Sequence, residues 1–260
     1  MTTAQEIITH MESLQDERQR QNLMRFFKTQ PGEYGYGDEF LGIKVPTTRE
    51  VVGQSKDTPL SEIPTLLLCR WHEVRLCGLL LLVGKFEKLS TKRLVIDPQA
   101  IKQRDEIVQL YLKYARQANN WDLVDLSVHK IIGSWLLLPT KLGSTTKEAS
   151  INADYKLKVL DSLASSDCLW LQRMSMVCSW KTSQQGDPSY CLRYAEIHLQ
   201  HPHDLMQKAV GWMLREMGKR VSMDLLRDFL RQHIHEMSRT SLRYAIEKMP
   251  EQERGIWLRK

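Results

Sequence analysis

The sequence predicts an all-α fold, a solenoid of paired helices with a concave basic groove, on three observations. Apolar residues recur at helical spacing: in "LMQKAVGWMLREMGKR", Leu205, Met206, Ala209, Trp212, Met213 and Met217 fall three and four apart. Helix-breaking punctuation returns throughout, at Pro59, Pro64, Asp97-Pro98, Pro139, Gly186 to Pro188, His201 to His203 and Pro250, and no run alternates as a strand would. Finally, "LWLQRMSMV", "DLMQKAVGW" and "TSLRYAIEK" superimpose, each placing a base ahead of an apolar helix. Those bases, Arg173, Lys208 and Arg243, are separated by two steps of 35 residues, near the length of a helix-pair unit.

Taken in order, residues 1–30 read as amphipathic helix. Their polar, acidic start, "MTTAQEIITHMESLQDE", is unlike a signal peptide. Residues 31–47, "PGEYGYGDEFLGIKVPT", read as a loop. It lacks the Gly-Lys-Ser/Thr ending of a phosphate-cradling loop, which argues against nucleotide binding there. "HEVRLCGLL" places Arg75 in a setting like that of the later bases. The apolar run Leu76 to Gly84 is too short to span a bilayer. "NNWDLVDLSVHK", residues 119–130, predicts a helix starting near Trp121, with Asn119 or Asn120 as its cap. Asp122 then suits the positive helix end. Asp125 is too deep in the helix for that explanation and shares a face with Trp121, four residues earlier. Residues 139–153, "PTKLGSTTKEASINA", read as an extended inter-helix loop.

Equivalent positions of successive second helices line one surface of a solenoid. Here they would be Arg75, Asp125, Arg173, Lys208 and Arg243, a basic lining that contains one acid. A basic lining fits a phosphate backbone. Two readings of Asp125 stand: it pairs with a neighbouring Arg, or it faces a cationic target. Trp121 and Trp212 each sit four residues from one of these charges. Each is by itself an ordinary core candidate, and as a pair they flank the carboxylate; Trp135, Trp180 and Trp257 read as core.

The net charge is +6 and the pI about 9.0, which points to a polyanionic partner. Residues 1–130 hold 18 Lys+Arg and 17 Asp+Glu, a net +1. Residues 131–260 hold 19 and 14, a net +5, so the basic surface is weighted to the second half. Five cysteines with no C-x-x-C read as reduced core thiols of a cytoplasmic protein. His198, His201 and His203 lack the partners of a metal site, and "HIHE" at 233–236 is similar; "HEVRL" fails H-E-x-x-H at Leu76. No metal and no cofactor is expected. Lyase chemistry through Lys208 or Lys181 is chemically open, a phosphate contact being the simpler role for either.

"GYGDEFLGIKVPTTRE" at 35–50, "WDLVD" at 121–125, "LWLQR" at 169–173 and "QKAVGWMLREMGK" at 207–219, in this order, resemble the AlkD-like DNA alkylation-repair glycosylases, built of HEAT-like helical repeats. The resemblance covers most of the chain and implies a single HEAT-like repeat domain over 1–260, a right-handed α-solenoid. It implies a monofunctional enzyme that excises cationic N3- or N7-alkylated purines, such as 3-methyladenine and 7-methylguanine, from duplex DNA in base excision repair. The damaged base is not flipped into a pocket, unlike the usual glycosylase substrate. It assigns the catalytic pair to Trp121 and Asp125, the second aromatic to Trp212 and a phosphate contact to Arg173. Further backbone contacts fall on Arg215 and Lys219, and Lys208 and Arg243, which come from the repeat spacing, join them. The partner is then duplex DNA, met by a monomer with no membrane association, nucleoid-associated when on DNA. Asp125 would stabilise an oxocarbenium-like sugar and position the attacking water, and both tryptophans would pack on the sugar. Neutral lesions, uracil or hypoxanthine, would be poor substrates. A non-catalytic scaffold that binds nucleic acid or an acidic partner is the alternative, and it gives Asp125 no task in a basic groove; a helical adaptor meeting a membrane or protein is a third, which specific base release would exclude.

Overall fold

The computed structural model describes residues 2–139 and 146–259. Among them every regular element is helical; the β-type pairing they contain is an isolated parallel bridge between Glu39 and Trp71. The chain forms two compact units, one built on Met1–Ser127, the other on Val128–Leu137 and Leu142–Lys260.

The first unit contains α1 (Ala4–Ser13), α2 (Glu17–Phe26), α3 (Val45–Gln54), α4 (Ile63–Leu67), α5 (His72–Leu89), α6 (Pro98–Lys113) and nearly all of α7 (Trp121–Val128). Local chemistry starts several of them. Thr3 and Glu6 make a capping box on α1, Asp16 caps α2, and Asp97 caps α6 with Pro98 as its first residue. The unit is organised on α5. Its middle, Val74 to Val83, is buried all round because α1, α3, α4 and α6 all pack on it. That accounts for the unbroken "LCGLLLLVG": a helix surrounded by others needs no polar face. Each Leu buried there contributes roughly 1.5–3 kcal/mol.

The loop ahead of α3 has no regular ladder, so its amides need other acceptors. Glu73, buried in the first turn of α5, supplies them. Its carboxylate accepts from the N–H groups of Leu41, Gly42 and Ile43 at 2.9, 2.9 and 3.1 Å. Gly42 stands at φ +88°, and a Cβ there would lie 2.1 Å from the carbonyl oxygen of Asp16. The loop ends at Lys44, three residues before the expected boundary, since Val45-Pro46 form the first turn of α3.

The second unit continues the α7 run as a π-helical turn (His129–Gly133) and α8 (Ser134–Leu137). There follow α9 (Thr146–Ala164), α10 (Leu169–Val177), α11 (Ser179–Gln184), α12 (Ser189–Ile197), α13 (Asp204–Arg220), α14 (Met223–His233), α15 (Arg239–Ala245) and α16 (Glu251–Arg259). Thus the second half of 139–153 is not loop but the start of α9, and 140–145 lie outside the described residues. Helices α10, α13 and α15 begin at 169, 204 and 239, so Arg173, Lys208 and Arg243 are each the fifth residue of their helix. Within this unit α13 packs on α10, α12, α14 and α15. The α13–α15 contact is close because Gly211 has no side chain: a Cβ would stand 2.3 Å from the Ser241 carbonyl oxygen.

All five cysteines are free thiols; Cys77, Cys178 and Cys191 are buried, and Cys69 and Cys168 are half-buried. Among the described residues no helix is long and apolar enough to cross a membrane.

Candidate active site

Asn120 is the residue that starts α7. Its carbonyl accepts from Val124 N–H at 3.2 Å and its side-chain oxygen from Trp121 N–H at 2.9 Å. Trp121 is half-buried. Its indole leans on Phe27, centroids 5.3 Å apart and planes 31° apart, and meets the exposed Phe26 edge-on at 5.8 Å. Phe27 in turn stacks on Phe40, and Phe40 on the His72 ring at 4.4 Å. Asp125, also half-buried, follows one turn after Trp121 on the same helix.

Asp122 does more than offset a helix dipole. It is buried, and its carboxylate lies 2.9 Å from His72 Nε2; His72 Nδ1 lies 2.7 Å from Asp38. Asp38 also accepts from the Arg75 guanidinium and, at 3.4 Å, from Asn120 Nδ2. Burial opposes charge on His72, but Asp122 and Asp38 on its two nitrogens outweigh it and raise the imidazole to about 9. Burial likewise acts against the Asp38 carboxylate, and His72 with Arg75 overcomes it, holding Asp38 below its ordinary range.

Arg75 therefore does not join a basic lining. It is buried, and its other bonds run to the Cys69 and Arg70 carbonyls at 2.9 and 2.7 Å. A buried Asp38 requires a cation, and Arg75, one turn into α5, supplies it.

In the second unit, Lys208, Trp212, Arg215 and Lys219 fall at spacings of four, three and four along α13, which puts them on one face. The Trp212 ring lies 5.4 Å from that of Trp180, itself 4.5 Å from the His129 ring, an aromatic row that reading Trp180 as plain core missed. Lys208 pairs with Asp204 at 2.7 Å, and Arg215 with Glu247 and Glu216. Lys219 and Arg243 are exposed and make no ion pair with the described residues. Arg173 is buried and donates to the Leu205 carbonyl at 2.5 Å, tying α10 to the first turn of α13. The three histidines ahead of α13 are occupied structurally. His198 bonds Ser175 at 2.8 Å, His201 donates to Gln172 at 2.9 Å, and His203 caps α13 by accepting from Leu205 N–H. No group of His, Cys, Asp and Glu among the described residues could hold a metal ion.

An all-helical chain with a Trp–Asp pair on one helix and a cationic face bearing a second Trp on another has a match in DNA repair. The family model described as DNA alkylation repair enzyme matches residues 7–249. The chain belongs to that family and is an enzyme of DNA alkylation repair. A solved structure described as a predicted DNA alkylation repair enzyme from Enterococcus faecalis has the same fold. It matches with a TM-score of 0.62 and 13% identity, covering 91% of this chain and 97% of that one. No curated protein matches.

Proposed function

We propose that this protein is a monofunctional DNA glycosylase that hydrolyses the N-glycosidic bond of cationic N3- or N7-alkylated purines in duplex DNA without flipping the base. The observation that carries the reading is Trp121 and Asp125 on one face of α7, with the indole braced on Phe27. The substrate purine is already cationic. As the C1′–N bond breaks, its electron pair leaves with the base and neutralises it, and positive charge passes to the sugar. The Asp125 carboxylate stabilises that charge and takes a proton from the water that adds at C1′. The face of Trp121 interacts with the developing cation, and the resemblance assigns the second aromatic role to Trp212. Arg173, Lys208, Arg215, Lys219 and Arg243 contact phosphates and set the register on the duplex. The resemblance assigns these last roles to Arg173, Arg215 and Lys219, and the 35-residue spacing adds Lys208 and Arg243; Arg215 would exchange Glu247 for phosphate, and Arg173 would act while held against α13.

The test is base release from duplex DNA containing 7-methylguanine or 3-methyladenine. Asp125→Asn, nearly isosteric but neutral, is expected to lose roughly 10²–10³-fold in rate while it keeps DNA affinity. Absence of release from both lesions by the wild-type protein would overturn the reading in favour of a scaffold, and efficient release of uracil or hypoxanthine would overturn the mechanism.

A further inference from the structure

We propose that His72 is a positioning residue: by bridging Asp38 and Asp122 it fixes the first turn of α7, and with it the places of Trp121 and Asp125. The assignment rests on the glycosylase reading of that pair, since it names what the positioning serves.

Donor counting comes first. Each imidazole nitrogen faces a carboxylate oxygen, at 2.7 Å from Asp38 and 2.9 Å from Asp122. A neutral imidazole has one N–H and can satisfy one of the two; the imidazolium satisfies both. Location follows. Asp122 adjoins Trp121 in the chain, and Phe27, which supports the Trp121 indole, lies 5.0 Å from the His72 ring. His72 thus supports Trp121 along two routes, through the α7 backbone and through the Phe27 ring. The charged groups around it are Asp38 from the loop, Asp122 from α7 and Arg75 one turn along α5. Glu73, next in sequence, is directed to the loop amides, and Phe27 and Phe40 supply apolar faces. Two cations and two anions, all at most 8% exposed in their side chains, form a neutral buried cluster. Such clusters add little net stability compared with apolar packing. What this one does is select a single arrangement of loop, α5 and α7.

The experiment uses full-length protein labelled with 5-fluorotryptophan, the Trp121 ¹⁹F line being assigned with Trp121→Phe. In His72→Asn the Trp121 line should shift or broaden while the Trp212 line stays in place. The kcat for 7-methylguanine release should fall roughly ten- to hundredfold with KM unchanged, the loss expected from a small misplacement of reacting groups. The wild-type line should also move as pH rises through about 9, when His72 loses its second donor. Asp122→Asn can donate its amide to a neutral imidazole, so its Trp121 line should stay constant over the same range. That comparison decides the matter if His72→Asn does not fold. A Trp121 line indifferent to pH in the wild-type protein overturns the proposal. The expected line shifts without base release by the wild-type protein leave the clamp standing and overturn the reaction it was assigned to serve.

Discussion

Asp122 and Asp125 differ by three positions and by almost everything else. One is buried against His72; the other is half-buried, one turn along from a braced indole. The pairing of Trp121 with Asp125 was legible because helical spacing alone puts residues four apart on one face. The task of Asp122 was not, since its partner His72 lies 50 positions away in sequence, and spacing carries no information at that range. Arg75 was misplaced for the same reason: a base in an apolar helix looks alike whether it faces solvent or a buried acid. The cluster has a consequence for stability. The pKa of His72 is raised on folding, so its contribution is fully present below about pH 6.5 and lost as pH rises through about 9. Asp38 is depressed, so its contribution holds above its ordinary 3.8 and is lost as pH falls through its lowered value. Denaturant melts across pH should show the alkaline loss in the wild-type protein and a weaker one in Asp122→Asn. Glu73→Gln, which replaces one acceptor oxygen of the loop by a donor, is expected to cost about 1–3 kcal/mol in urea unfolding.

At the scale of elements, the 35-residue step was the most informative signal. It located the starts of α10, α13 and α15 in register, because each of the three segments starts its helix at the same point in its own hydrophobic pattern. Boundaries were less legible: Thr146 to Ala153 carries polar and small residues that read as loop, yet these residues begin α9. The close α13–α15 contact gives a direct prediction. Gly211→Ala puts a methyl group 2.3 Å from the Ser241 carbonyl and 2.5 Å from Tyr244 Cβ, so the helices must separate. A loss of about 1–3 kcal/mol is expected, read as a lowered denaturant midpoint with an unchanged slope. Ser238→Ala, which removes the cap that accepts from Ser241 N–H at 3.0 Å, should cost about 1 kcal/mol by the same measure.

Over the whole molecule, the family match runs through both units, whereas the charge does not: +1 in residues 1–130 and +5 in 131–260. If the five proposed cations each neutralise one phosphate, log K against log salt should have a slope of about −4.5. Arg243→Gln should flatten it by about 1 without altering lesion preference. The burial of three of the five thiols bears on the conditions in which an alkylation repair enzyme works. Agents that alkylate purines also alkylate sulfur, and the thiolate is the form that reacts. Burial raises Cys77 and Cys191 to about 12 and moves Cys178 in the same direction, so none of the three carries appreciable thiolate at neutral pH. The packing that excludes water from these side chains also withholds them from the electrophiles whose damage the protein repairs, and its folded core stays unmodified while the DNA around it is being methylated.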